Sequence, residues 1–459
     1  MSTPLHIDQQ DTIVALATAT GSAAIGVIRL SGKDAIEIVN AVFQGKDLTK
    51  QKSHTLHFGT IREDDKILDE VLASVFVSPR SYTKENTVEL STHNSPYIIE
   101  KIIQLLIRKG ARAAKPGEFT LRAFLNGTMD LSQAEAVADL IASNSASSHQ
   151  VAMQQMRGGF SNRLVGLRDE LIHFASMIEL ELDFGEEDVE FANREELADL
   201  VRQINQIVHT LIHSFDQGNV IKNGVPVVIA GKPNVGKSTL LNALLEEERA
   251  IVSDIAGTTR DTIEDEVNIR GVTFRFMDTA GIRETADVIE SKGVERTREK
   301  MKQARLIIYL LDPTQDELQE MSAQLEELKV LNIPYLVLIN KEDLLSDDQK
   351  DKYAYLNSLF LSAKEGQGVE KLKDELLQKV NLANISNDDV MVTNIRHVEA
   401  LEKTRDSLEK VLLSLDSEMT SDFVAIDIRQ ALYHLGEITG EVSTDDLLEN
   451  IFSKFCIGK

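Results

Sequence analysis

The sequence predicts a multidomain protein: an α+β N-terminal domain, an all-α helical domain, and an α/β domain inserted into the helical one. Three observations predict it. Short β-rich runs (Thr12–Leu16, Ile25–Leu30, Val71–Val77, Thr87–Leu90) mix with helical stretches at Asp34–Phe43 and Tyr97–Leu106 in the first part of the chain. From Leu131 to His213 apolar residues recur at three- and four-residue spacing with few breakers, the signature of long amphipathic helices. After Val225, apolar strands at Val227–Ala230, Thr273–Met277, Leu306–Leu311 and Tyr335–Ile339 alternate with helical patterns, as βαβ units of a mostly parallel sheet do. Beyond about residue 384 the acidic helical pattern returns (His397–Leu415, Val424–Leu435, Thr444–Phe452). Domain termini often lie close together and tolerate insertion. Residues 1–126 are therefore read as the N-terminal domain, 127–222 with 384–459 as the helical domain, and 223–383 as the insert. Two separate helical domains are the alternative.

Composition narrows the functional classes. The chain has 459 residues, 42% hydrophobic and 27% charged, an ordinary globular balance. Its net charge of −25 argues against coating nucleic acid by bulk electrostatics. The acid is uneven, however: residues 1–126 carry 15 bases against 14 acids, while 127–222 carry 6 against 16, 223–383 carry 21 against 29, and 384–459 carry 7 against 15. Any contact with RNA is thus expected near the N-terminal domain or on a basic partner. Cys456 is the single cysteine, which excludes an internal disulfide framework and a multi-cysteine zinc site and suits a reduced, cytoplasmic setting. Neither a signal peptide nor a membrane span is expected.

Gly231-Lys-Pro-Asn-Val-Gly236-Lys237-Ser238 follows a strand and opens the helix predicted over Thr239–Leu245, where a phosphate-binding loop belongs. Its glycines let backbone N–H groups and the helix N-terminus face phosphates. Asn234, Val235, Gly236, Lys237, Ser238 and Thr239 are read as nucleotide contacts, with Lys237 reaching the β- and γ-phosphates and the Ser238 hydroxyl ligating Mg2+. Asp278-Thr279-Ala280-Gly281 closes a strand, with Asp278 placed toward the Mg2+ shell and Gly281 toward the γ-phosphate. Asn340-Lys341-Glu-Asp343 ends another strand, and Asp343 can accept from guanine N1–H and the exocyclic amine together, which adenine cannot match. Ser362-Ala363-Lys364 completes the set. In this order and spacing the motifs resemble the GTPase superfamily, so the insert is expected to be an α/β P-loop GTPase domain and the chain a GTP hydrolase.

Switch I is expected over Ser253-Asp-Ile255-Ala-Gly257-Thr258-Thr259-Arg260-Asp261, with Ser253, Thr258 and Thr259 near GTP and Thr259 as the second Mg2+ hydroxyl. Ile282 follows Gly281 where many GTPases place a water-orienting Gln, so catalysis draws on other groups. Asn234 with this extended switch I is similar to potassium-activated GTPases that dimerise through the G domain. The resemblance implies K+ held by Asn234, Ser253, Ile255 and Thr258 in place of an arginine finger. Glu290 is one of several acids in switch II, in competition with Glu284, Asp287 and Glu295.

The flanking segments carry Asp11-Thr-Ile-Val-Ala, Val27-Ile-Arg-Leu-Ser-Gly32, Ser81-Tyr-Thr-Lys-Glu85, Lys115-Pro-Gly-Glu-Phe-Thr120, Arg122-Ala-Phe-Leu-Asn-Gly127, Asp130-Leu-Ser-Gln-Ala-Glu-Ala136 and the ending Phe455-Cys456-Ile-Gly-Lys459. Together they resemble the MnmE (TrmE) family of tRNA-modification GTPases over nearly the whole chain. The resemblance implies a homodimer that, with the FAD- and NADH-using partner MnmG (GidA), adds an aminomethyl or carboxymethylaminomethyl group at C5 of the tRNA wobble uridine. The one-carbon unit would come from 5-formyltetrahydrofolate or 5,10-methylenetetrahydrofolate. By matching positions it implies folate contacts from Arg29, Glu89, Thr128 and Lys459, a water-orienting role for Glu290 beside the catalytic Asp278 and Lys237, and a chemical role for Cys456. Read without the family, Arg29 is a surface charge and Cys456 a small buried hydrophobe. The chain departs from the family pattern at Thr128, at His93-Asn94-Ser95 and at Gly21-Ser-Ala-Ala.

Overall fold

The structure, a computed structural model, describes residues 11–21, 23–183, 194–248, 265–277, 299–314, 318–353, 356, 358–380, 390–417 and 420–459. The described residues fall into two compact units, one drawn from Met1–Ile141, Gln155–Val208 and Glu399–Lys459, the other from Ala142–Gln154 and His209–Val398. Among the described residues no helix is long and apolar enough to cross a membrane.

In the first unit, β1 (Ile13–Leu16), β2 (Ile25–Ser31), α1 (Ala35–Asn40), β3 (Phe43–Gln44), β4 (Thr55–Glu63), β5 (Lys66–Phe76), β6 (Thr87–His93), α2 (Pro96–Arg108) and β7 (Arg112–Ala113) build a seven-stranded sheet. The strand order is β3-β4-β5-β6-β2-β1-β7, and only the β1–β7 pair is parallel. Strand alternation sends Ile28, Leu30, Val71, Ala73, Val75, Val88 and Leu90 to one face, where the apolar sides of α1 and α2 bury them. On the other face the register sets Leu56, Ser74, Glu89, Arg29 and Ala15 in one row across five strands, and Phe58, Leu72, Ser91 and Val27 in the next. Strand β4 was not expected from the sequence. Its outward positions hold Leu56 and Phe58, exposed at 58% and 65%, so the apolar-in, polar-out alternation that marks a half-buried strand is missing.

Helices α3 (Glu118–Leu125), α4 (Leu131–Ala142), α5 (Ala146–Met156), α6 (Gly159–Asp183) and α7 (Arg194–Asn223) follow. Along α6, Phe160, Leu164, Leu167, Leu171, Ala175 and Ile178 are buried at the three- and four-residue spacing read from the sequence.

The second unit holds a six-stranded sheet of order β13-β12-β11-β8-β10-β9. Its elements are β8 (Val225–Ala230), α8 (Lys237–Glu248), β9 (Asp265–Ile269), β10 (Val272–Phe276), β11 (Leu306–Leu311), α9 (Leu318–Val330), β12 (Tyr335–Ile339), α10 (Asp347–Asp351), β13 (Leu359–Phe360) and α11 (Val369–Val380). All pairs are parallel except β9–β10, a hairpin about Arg270-Gly271, so the mostly parallel α/β sheet is as expected. The near-continuous apolar strands β8, β11 and β12 are buried on both faces, as parallel strands require.

The chain ends in α12 (Ile395–Asp416), α13 (Ser421–Thr439) and α14 (Asp445–Phe452). Thr444 caps α14 by accepting from Leu447 N–H at 3.3 Å. Leu448, Ile451 and Phe452 then pack against Leu121, Leu131 and Ala134, which brings the last residues back to the N-terminal sheet.

Candidate functional site

Two groups of predicted residues are drawn together, one in each unit. In the second, strand β8 ends at Ala230 and the chain turns through Gly231–Gly236 into α8, whose first residue is Lys237. Asn234 takes the left-handed conformation at φ 62°, which asparagine tolerates better than most residues. Gly236 sits at φ 103°, and a Cβ there would lie 2.2 Å from the Asn340 amide nitrogen, so only glycine fits.

Asn340, buried after β12, joins three loops. Its amide donates to Val235 O at 2.8 Å, and its carbonyl accepts from Ala363 N–H at 3.0 Å. The phosphate-loop motif, the Asn340-Lys341-Glu342-Asp343 turn and the Ser362-Ala363-Lys364 loop, separated by 105 and 23 positions, are thereby one structure. Asp343 is exposed in the 3-10 turn Glu342–Leu344, while Ser362 is buried and bridges backbone to backbone with Gln367. Thr239 is exposed on the first turn of α8 and Ser238 half-buried beside it. Lys364 lies exposed, 3.7 Å from Glu365.

The Lys237 ammonium donates to Gly231 O at 2.9 Å and Lys232 O at 2.8 Å, arched back over the loop it follows. Burial holds it below the ordinary lysine value. A cation short of counter-charge at a helix N-terminus is an anion site in waiting, because a phosphate both repays the lost hydration and meets the helix dipole.

Sequence reasoning missed Asp312. It closes β11 fully buried, pairs with the Lys341 ammonium, and accepts from Thr314 N–H at 3.0 Å. Burial pushes its carboxyl up, and Lys341 with Thr314 outweighs this to hold it below the usual aspartate range. Its one signal was an acid directly after an apolar strand, before Pro313.

Asp278, Thr279, Ala280, Gly281 and Glu290, with Ser253, Ile255, Thr258 and Thr259, lie outside the described residues. Of the residues expected around Mg2+ and K+, Ser238 and Asn234 are therefore the described ones.

The first unit gathers the second group. Arg29 on β2 and Glu89 on β6 are cross-strand partners, and their side chains pair at 2.8 Å. The guanidinium lies 5.7 Å from the ring centres of both Tyr82 and Phe119, a cation between two aromatic faces. Arg29 is thus half-buried and held on three sides, which overturns its reading as a surface charge. Burial pushes the Tyr82 phenol up, against the opposing effects of its 2.9 Å hydrogen bond with Thr120 and of Arg29. The C-terminal tail comes to the same sheet: Ile457 bridges Pro116, and Gly117 N–H donates to Cys456 O at 3.3 Å. Gly458, at φ 94°, runs so close to β1 that a Cβ would lie 2.2 Å from Leu16 O. Lys459 is half-buried beyond it, while Cys456 is exposed, contrary to its reading as a small buried hydrophobe. Thr128 is exposed after α3, tied by its N–H to Ala123 O at 2.8 Å.

Several motif residues without an assigned role turn out to support this group. Arg122, 1% exposed, donates to Asp11 O at 2.8 Å, pairs with the Asp11 carboxylate, and lies 3.3 Å from Glu85 and Glu118. Arg112 pairs with Asp11 at 2.7 Å and Glu118 at 2.6 Å. The network pins the entry to β1 against α3, the helix that carries Phe119 under Arg29.

Comparison with known proteins gives two family matches: the MnmE helical domain over residues 131–456 and the GTP-binding protein TrmE N-terminus over 12–128. The tRNA modification GTPase MnmE of Cytophaga hutchinsonii is 58% identical, covering all of both chains. Those of Christiangramia forsetii and Flavobacterium johnsoniae are also 58% identical, each over 98% of this chain and 99% of that protein.

Proposed function

The chain belongs to the MnmE family of tRNA modification GTPases, a GTP hydrolase that works in tRNA modification, and from that premise we propose how its two residue groups divide the labour. The group around Lys237 binds and hydrolyses GTP. The group around Arg29 binds a tetrahydrofolate one-carbon donor, and together with the FAD protein MnmG the homodimer adds an aminomethyl or carboxymethylaminomethyl group at C5 of the wobble uridine.

The observation that carries the first half is the Asn340 side chain, which ties the phosphate loop to both base-recognition loops. Lys237 neutralises β- and γ-phosphate oxygens, Ser238 with Thr259 holds Mg2+, and Asp343 selects guanine by accepting two of its N–H donors. Bound Mg2+ and K+ supply charge stabilisation for phosphoryl transfer. Asn234, projected from the loop by its left-handed backbone, suits a K+ ligand alongside Ser253, Ile255 and Thr258. Asp278 belongs to the Mg2+ shell, and Glu290 orients the attacking water in place of the glutamine that Ile282 replaces.

For the second half, Arg29 and Glu89 present a donor fork and an acceptor side by side over two aromatic rings, a fit for the carbonyl, amino and ring N–H groups of a pterin. Lys459 adds a cation for the folate carboxylates, Thr128 a hydroxyl, and Cys456, being exposed, is accessible to substrate. The outward sheet face, with Ile25, Leu56, Phe58 and Leu72 exposed between 39% and 65%, supports the homodimer, since a monomer rarely leaves so apolar a face in water.

Nucleoside mass spectrometry of tRNA from a strain carrying Asp278→Ala tests the coupling. Loss of the modified wobble uridine is expected, and its persistence with GTP turnover abolished would overturn the mechanism. Titration calorimetry with 5-formyltetrahydrofolate tests the folate half, where absence of binding would remove it.

A further inference from the structure

Helix α7 carries a pair of side chains that neither residue group uses. Val201, Ile204, Val208 and Leu211 bury one side of the helix, while His209 and His213, four positions apart, are exposed on the same outer face. Their Nε2 atoms share one proton in a 3.0 Å hydrogen bond, which an ion would replace, and their ring centres stand 4.2 Å apart.

We propose that His209 and His213 form a chelating site for a borderline divalent transition ion, Ni2+ or Cu2+. Each neutral imidazole with its proton on Nδ1 offers an Nε2 lone pair, the commonest side-chain metal donor. Two such nitrogens about 2.1 Å from one ion stand about 3.0 Å apart at a right angle and about 3.4 Å apart at a tetrahedral angle. The observed 3.0 Å separation lies close to both values, and two imidazole donors in cis positions suit the tetragonal or square-planar geometry of Cu2+ and Ni2+. Oxygen-seeking Mg2+ and Ca2+ gain nothing from an all-nitrogen pair, so the site is separate in chemistry from the Mg2+ of GTP hydrolysis. The donors sit on one 30-residue helix, so little backbone entropy is lost on binding. Among the described residues no three His, Cys, Asp or Glu side chains group as a metal site. The ion would therefore keep water in its other positions, open to exchange or to a donor from another molecule.

The test is titration calorimetry of the full-length protein with Ni2+ in a non-chelating buffer, beside His209→Gln and His213→Gln. Glutamine keeps the helix, and unchanged circular dichroism melting checks the fold. Saturable binding of one ion per chain is expected. Each variant should bind more weakly by more than the factor of about ten that disturbing an outer-shell partner costs. With Cu2+, electron paramagnetic resonance should give a tetragonal spectrum with nitrogen coupling that both variants lose. Equal affinity in wild type and variants, or no saturable Ni2+ binding in the wild type, would overturn the assignment.

Discussion

Asn340 does more for the nucleotide site than its place in a recognition motif implies, because its amide closes the space above Gly236. Gly236→Ala forces a side chain into a positive-φ position 2.2 Å from that amide. A loss of at least about 1–3 kcal/mol is expected in denaturant unfolding, with weaker binding of a fluorescent GTP analogue. Asp312 acts through Lys341. Asp312→Asn leaves the lysine a neutral partner, and the loss of a charge-assisted hydrogen bond is expected to cost about 2 kcal/mol. Since Lys341 then loses its fixed position beside Asp343, GTP affinity should fall while the Asp278 step is untouched, so Kd changes more than the single-turnover rate. The loops themselves were legible in the sequence because each is a contiguous motif with a backbone mechanism. The Asp312–Lys341 pair was not, since only the parallel pairing of β11 with β12 brings positions 29 apart into contact.

At the scale of elements, the network of Arg112 and Arg122 with Asp11, Glu85 and Glu118 holds β1 to α3. Burial pushes the Asp11 and Glu118 carboxyls up, and hydrogen bonds and charge from the two arginines, with the Lys115 N–H on Glu118, outweigh it, so both lie below their ordinary 3.8 and 4.5. A depressed folded value means that the stability these acids contribute is fully present above the ordinary values and is lost as pH falls through and below them. Thermal melts taken downward through 4.5 and 3.8 should show the N-terminal unit losing stability there. Arg122→Met, which strands buried carboxylates, should cost about 3–5 kcal/mol at neutral pH. In the sequence Asp11, Glu85, Glu118 and Arg122 were visible only as parts of motifs and Arg112 not at all, because a salt-bridge network among positions as far apart as 11 and 122 leaves no periodicity. Gly458→Ala applies the same reasoning to the tail. The methyl cannot fit against Leu16 O, so the tail must lift, and 5-formyltetrahydrofolate affinity should drop while GTP turnover stays as it was.

Considered as a whole molecule, the protein leaves Leu56, Phe58 and Leu72, on the β4–β5 part of the second face of its N-terminal sheet, exposed among the described residues. If that part joins two copies, Phe58→Glu places a charge on its most exposed large side chain, at 65%, and light scattering should find a monomer where the wild type is a dimer. A wild type that is already monomeric would remove the dimer from the proposed mechanism. Turnover in K+ and Na+ at equal ionic strength checks the ion at Asn234, and equal rates would exclude it.

The sequence alone determined the α/β sheet, the long helices and the contiguous motifs of the GTPase loops, since each depends on local period, backbone freedom or contiguous spacing. Strand β4 escaped it because an apolar outer face erases the alternation by which strands are read. Only the tertiary structure decided that Arg29, Glu89, Tyr82 and Phe119 share one place, that Cys456 is exposed, and that Asp312 anchors Lys341. Those pairings rest on strand register and on the return of the C-terminal helix to the first sheet. Both are set by long-range burial of apolar surface, which no short window of sequence contains.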